Sequence, residues 1–145
     1  MTLDEALHYI HSVCWKGSVP GLERISALLD KMGHPERRLK FIHVTGTNGK
    51  TTTTCLIKQL LERTKGAKVG LIGTNQNLIG ESAVPAERTT PDALTLQRLL
   101  AQMVDAGCTY AVMEVSSHEM MQSRVEGIRF RVGVFTNLTQ DHLDY

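Results

Sequence analysis

The sequence predicts a doubly wound α/β fold: a mostly parallel sheet flanked by helices, with a phosphate-binding loop (P-loop) at one strand end. Three observations carry this. Phe41-Ile42-His43-Val44 is apolar and partly β-branched, as a strand buried on both faces is. It runs into Gly46-Thr47-Asn48-Gly49-Lys50-Thr51-Thr52, after which Cys55, Leu56, Leu60 and Leu61 recur at helical spacing. Further short apolar runs then alternate with helical patterns, which calls for parallel strands joined by right-handed crossovers.

The glycine loop has the context that phosphate chemistry needs. Glycines let the backbone turn sharply, so that N–H groups can point at phosphate oxygens. The N-terminus of the following helix adds partial positive charge. Lys50 is placed to reach the β- and γ-phosphates of ATP, and the Thr51 hydroxyl to ligate Mg²⁺. The nucleotide-binding set is therefore Gly46, Thr47, Asn48, Gly49, Lys50, Thr51 and Thr52. The pattern G-x-x-x-x-G-K-[ST] asks for Gly at position 44, where this chain has Val44. The competing reading is a tight turn that binds nothing.

Size and charge bound the rest. The chain has 145 residues, enough for one domain with a real core. A formal net charge of +1, with both signs interspersed, leaves no footprint for nucleic acid. The apolar runs are too short to cross a membrane, and the N-terminus lacks the layout of a signal peptide. The 3 cysteines, Cys14, Cys55 and Cys108, are far apart and form no C-x-x-C. That argues against a disulfide framework or a zinc site and for a reduced, cytoplasmic setting.

In chain order, Thr2-Leu3-Asp4-Glu5 is a capping box opening a helix with Leu3, Ala6, Leu7, Ile10 and Cys14 as its apolar stripe. His8 and His11 on this helix are read as solvated and not as a metal pair. Trp15 to Gly21 is a turn-rich loop. A second helix uses Leu22, Ile25, Leu28, Leu29 and Met32, with Gly33 ending it and Pro35 preventing its resumption. The helix after the glycine loop runs to about Lys65 and stops at Gly66. Val69-Gly70-Leu71-Ile72-Gly73 is the second strand. Asn75 to Arg88 is polar, rich in Gly and Pro, and reads as a long loop. Thr90-Pro91-Asp92 opens the next helix, with Thr90 as cap, and Leu96, Leu99, Leu100, Met103 and Val104 form its apolar face up to Gly107. Tyr110 to Met113 is the third strand, a short turn or helix spans Ser116 to Gln122, and Val132 to Phe135 is the fourth strand.

Open parallel sheets bind ligands beyond the C-terminal ends of their strands. Glu114 directly follows an apolar strand, where a carboxylate can ligate Mg²⁺ beside a triphosphate; the alternative is a solvated loop acid. His142 is a candidate metal ligand or a surface histidine.

These motifs carry a resemblance. Gly46 to Thr52, Thr89-Thr90-Pro91, Met113 to His118, and Phe135 to Tyr145 resemble the Mur ligase family, in the branch that adds the third residue to UDP-N-acetylmuramoyl-dipeptide. The family tolerates a non-glycine at position 44. Tyr9 to Ser12, Trp15-Lys16-Gly17 and Pro20 to Ile25 resemble the leader of folylpolyglutamate synthase. The chain thus divides into a helical leader, 1–40, and a nucleotide-binding core of Mur ligase type, 41–145.

The resemblance implies an ATP- and Mg²⁺-dependent ligase. A substrate carboxylate attacks the γ-phosphate, and an amino-acid amine displaces phosphate from the acyl phosphate to leave an amide. It makes Lys50, Glu114 and His142 the catalytic set and Thr51, Glu114 and His142 the metal ligands. It assigns Thr89, Thr90, Ser116, Gln122 and Arg124 to the carboxylate substrate, a muramoyl-peptide or a folate-like acid. Thr90 as a plain helix cap and Arg124 as a solvated charge are the structural alternatives. Position 88 is Arg88 where the family has Asn. The family's carbamylated lysine and amino-acid-binding domain would lie beyond Tyr145, so the chain reads as a fragment or truncated product that binds ATP without ligating. The other readings are a folylpolyglutamate synthase fragment and a stand-alone nucleotide-binding module.

Overall fold

The computed structural model describes residues 23–86, 88–122 and 124–139. The helix expected at the N-terminus, with His8, His11 and Cys14, and the candidate ligand His142 lie outside the described residues.

The expected apolar runs form the parallel centre of the sheet. They are β1 (Lys40–Thr45), β2 (Val69–Ile72), β5 (Tyr110–Glu114) and β6 (Phe130–Phe135). β5 lies between β2 and β1, and β6 flanks β1 on the other side, all parallel. The two remaining strands, β3 (Asn77–Ile79) and β4 (Ser82–Val84), extend the sheet beyond β2 in antiparallel fashion, in the order β4-β3-β2-β5-β1-β6.

The helices cover both faces. In chain order they are α1 (Glu23–Lys31), α2 (Pro35–Arg38), α3 (Lys50–Lys65), α4 (Ala93–Asp105) and α5 (Ser117–Met121). On one face Leu96, Leu100 and Met103 of α4 pack with Phe41, Ile72, Ala111 and Met113. On the other, Ile57 and Leu61 of α3 pack on Ile42, Val44, Val69 and Val112. Alternate residues of β1 and β5 thus feed opposite cores, so both of their faces carry apolar side chains. Each large side chain buried this way contributes about 1.5–3 kcal/mol.

Four local expectations are corrected. The stretch from Asn75 to Arg88 is not all loop, because Asn77 to Val84 folds into the β3–β4 hairpin. Gly80, at φ 63°, supplies the first position of its two-residue turn. The cap of α4 is Asp92 and not Thr90: its carboxylate accepts from the Leu94 and Thr95 amides, both at 3.0 Å. Pro35, expected to prevent a helix from resuming after Gly33, instead opens a new short helix, where its missing N–H costs nothing. On α3 the inward stripe is Ile57 and Leu61 with Thr54 and Lys58, while Leu56 and Leu60 are exposed. The buried Lys58 is compensated by Glu62, one turn on, at 2.5 Å.

His43 sits mid-strand in β1, 9% exposed, its ring 4.9 Å from that of Phe130. Nε2 has no hydrogen-bond partner among the described residues. Burial pushes its pKa down from 6.5, and a hydrogen bond with the Val115 backbone opposes this. The unfolded chain therefore takes up this proton at higher pH than the folded one. The stability tied to neutral His43 is full above pH 6.5 and is lost as pH falls through the lowered folded value. Urea unfolding at pH 7.5 and 5.5 should show lower stability at 5.5, and His43→Leu should flatten the difference; an unchanged difference would show that other groups cause it.

Candidate functional site

The site forms where the strands end. β1 runs out at Thr45 into the glycine loop, β5 at Glu114, β2 at Ile72 and β6 at Phe135, so four connecting segments meet above the sheet. A cavity of about 540 Å³ opens there. Gly46, Thr47 and Lys50 form one side, Thr74 and Thr89 a second, and Ser116, Ser117 and His118 a third. Met121, Phe135 and Leu138 give it an apolar rim.

The glycine loop turns as its composition requires. Gly46 has φ 127° and Gly49 φ 81°, both in the range that favours glycine. Lys50 folds back over the loop, its Nζ donating to the carbonyls of Gly46 at 2.7 Å and Thr47 at 2.9 Å. The loop is braced from the β6 side. The Thr47 amide donates to the Asn137 carbonyl at 3.1 Å and the Asn48 amide to Asn137 Oδ1 at 2.9 Å.

Glu114 is the buried charge of the site, 1% exposed. Its Oε2 accepts from the hydroxyls of Thr51 and Thr74, each at 3.0 Å, and its Oε1 from the Thr74 amide at 3.1 Å. A carboxylate taken out of water needs several donors, and these three supply them. The space is made by Gly73, where a Cβ would stand 2.5 Å from Oε1. The Thr74 hydroxyl also lies 3.1 Å from that of Thr89.

Of the residues expected to hold substrate, Thr89 and Ser116 line the cavity, while Thr90, Gln122 and Arg124 are not among its lining residues. Thr90, fully buried, donates from Oγ1 to the Glu114 carbonyl at 2.9 Å, and Arg124 Nη1 donates to the Thr90 carbonyl at 3.1 Å. Ser116 caps α5 in a reciprocal capping box with Glu119. Gln122 Nε2 lies 2.6 Å from His118 Nε2. Thr52, in the first turn of α3, is exposed.

The donors suit a hard cation. The Thr51 hydroxyl and the Glu114 carboxylate are oxygen donors side by side, the kind of ligand that Mg²⁺ uses together with water and phosphate. Among the described residues no group of three or more His, Cys, Asp or Glu side chains could hold a metal.

Reasoning from sequence missed three contributors: Gly73, Thr74 and Thr136. Thr74 carried one legible signal, since it follows the end of β2 as Glu114 ends β5. Nothing in the sequence indicated that Gly73 makes room for the carboxylate of Glu114, on another strand.

A strand, glycine loop and helix at the centre of a parallel sheet, with a buried carboxylate on the neighbouring strand, define the α/β domains that carry a Gly-Lys-Thr loop. Within that class, the chain belongs to the Mur ligase middle domain family, which matches residues 44–145. It is 57% identical over 113 residues to the UDP-N-acetylmuramoyl-L-alanyl-D-glutamate--2,6-diaminopimelate ligase of Clostridium tetani, covering 78% of this chain and 23% of that protein. The protein of the same name from Geobacillus thermodenitrificans is 54% identical over 129 residues, 88% of this chain and 26% of the relative. The chain thus spans about a quarter of the length of these relatives. Among solved structures, a ligase of that name aligns with a TM-score of 0.64 at 35% identity, over 77% of this chain and 23% of that one. The folylpolyglutamate synthetase of Lactobacillus casei aligns over 99% of this chain and 42% of its own, with a TM-score of 0.57 at 25% identity. Among the described residues no helix is long and apolar enough to cross a membrane.

Removing one donor from Glu114 tests its hydrogen-bonding set. Thr74→Val keeps the side chain's shape and deletes a hydroxyl bond to a buried charge, which should cost about 1–3 kcal/mol in urea unfolding. Thr74→Ser should recover most of that. Equal stability of the valine variant and the parent would mean that Thr51 and the Thr74 amide satisfy Glu114 unaided.

Proposed function

We propose that this chain is the nucleotide-handling part of an ATP-dependent, amide-forming ligase of Mur type. Its natural context is the joining of an amino acid to a UDP-N-acetylmuramoyl-peptide in peptidoglycan-precursor synthesis, a cytoplasmic reaction. The observation that carries the reading is the 3.0 Å hydrogen bond between Thr51, which follows directly on Lys50 in the chain, and Glu114, which is joined to Thr74; Lys50 and Thr74 both line the cavity. The names of its relatives support 2,6-diaminopimelate as the amino acid.

In this reading the glycine loop, with Gly46, Thr47, Asn48, Gly49, Lys50, Thr51 and Thr52, receives the triphosphate. Lys50 exchanges its two loop carbonyls for the β- and γ-phosphate oxygens and offsets their charge. Thr51 and Glu114, with His142, hold Mg²⁺, which supplies charge neutralisation at the transferring phosphoryl group when bound. Thr89, Ser116, Gln122 and Arg124 orient the substrate carboxylate towards the γ-phosphate, and the buried Thr90 acts through its carbonyl, which holds Arg124. The fork of Arg124 keeps donors beyond the one given to Thr90, which suits an anionic substrate. The apolar rim of Met121, Phe135 and Leu138 limits water around the reacting groups.

A second reading, folylpolyglutamate synthesis, is favoured by one observation: the structural likeness to the Lactobacillus casei enzyme extends over almost the whole chain. The two differ in the acid that enters the same cavity. Offering a UDP-muramoyl-dipeptide and a folate separately in the presence of Mg²⁺ and an ATP analogue discriminates them by which one binds.

Calorimetric titration with Mg-ATP tests the nucleotide site directly. Lys50→Ala removes a cation from the phosphates, worth roughly 1.5–3 kcal/mol, so affinity should fall about ten- to a hundredfold. Equal affinity of Lys50→Ala and the parent would remove the basis of the reading. Glu114→Gln keeps the shape and removes the charge. It should abolish the gain in ATP affinity that Mg²⁺ gives; a variant that keeps the full Mg²⁺ effect would place the metal elsewhere.

A further inference from the structure

We propose that Thr136 is a positioning residue that sets the glycine loop for phosphate by holding the Asn48 carbonyl on the β6 side of the loop. The proposal rests on the nucleotide reading above and names a residue outside the sets already assigned. Thr136 follows β6 and continues its ladder, its amide donating to the Thr45 carbonyl at 2.9 Å. Its hydroxyl lies 2.6 Å from the Asn48 carbonyl and 3.2 Å from the Thr45 carbonyl. The single hydroxyl proton goes to the nearer acceptor, Asn48, and the Thr45 contact is the weaker branch.

The chemistry explains why this matters. A phosphate is received by N–H groups and repelled by carbonyl oxygens, so a loop that binds it must turn its carbonyls elsewhere. Asn48 directly precedes Gly49, where the backbone passes through φ 81° into the first turn of α3. A free carbonyl at Asn48 would let that peptide rotate. Thr136 pins it by a bond outside the loop, before any nucleotide arrives. The approach is close enough to dictate composition: a Cβ on Gly46 would stand 2.2 Å from Thr136 Oγ1. Gly46 is therefore needed as much for the Thr136 contact as for its own backbone conformation.

The test separates the hydroxyl from the shape. Thr136→Val is isosteric and lacks the donor, while Thr136→Ser keeps it. In the chain without nucleotide, amide hydrogen exchange at Thr47 to Lys50 should quicken several-fold in the valine variant and stay at the parent rate in the serine variant. The thermal midpoints should remain together. Mg-ATP affinity should fall about three- to tenfold in the valine variant and recover in the serine variant, as expected for loss of one hydrogen bond. Parent-like exchange in the valine variant, or equal loss in both variants, would overturn the proposal. If the parent binds no Mg-ATP, the nucleotide reading fails, and the exchange rates still decide whether Thr136 positions the loop.

Discussion

A carboxylate buried to 1% exposure must find donors, and much of the site's geometry follows from how Glu114 finds them. Thr51 comes from the first turn of α3, Thr74 from the end of β2, and Thr90 bonds the carbonyl of the same residue. Three segments far apart in sequence are thereby tied to the end of one strand. The position of that strand makes this possible. β5 lies between β1 and β2, so its last residue is within reach of the loops that follow both neighbours. A carboxylate at the end of an edge strand would have one neighbouring loop and face water on the other side.

The same economy governs the β6 side. The glycine loop is held from within by Lys50 and from outside by Thr136, Asn137 and Thr139. Thr47 and Thr139 bond reciprocally, hydroxyl to carbonyl and amide to hydroxyl. The loop is thus held between a buried charge on one side and a polar brace on the other. Preorganisation of this kind puts the entropy cost of ordering the loop into folding, so that binding does not bear it.

Polar anchoring and apolar packing are separated by layer. The two cores lie below the strand ends and involve α3 and α4 on opposite faces of β1 and β5. The hydrogen bonds of the site lie above them. A change such as Thr74→Val therefore acts on the site without opening a void in either core. His43 is one exception, a titratable ring within β1 that ties the sheet's stability to pH.

The sequence by itself determined the parallel strands, the glycine loop, the helix that follows it and the acid at the end of β5. Each is a local pattern: an apolar run, Gly-x-x-Gly-Lys-Thr, a helical period, a carboxylate after four apolar residues. The family was legible for the same reason, because its motifs are contiguous. Only the tertiary structure decided which of those residues meet. Thr90 looked like a cap because Thr-Pro-Asp is a good helix start; the cap fell to Asp92, and Thr90 went to the Glu114 carbonyl. The β3–β4 hairpin was hidden because three-residue strands are too short to show a period. The roles of Gly73 and Gly46 as clearances for Glu114 and Thr136 are distances across the sheet. Such distances depend on strand order and register, which no local pattern encodes.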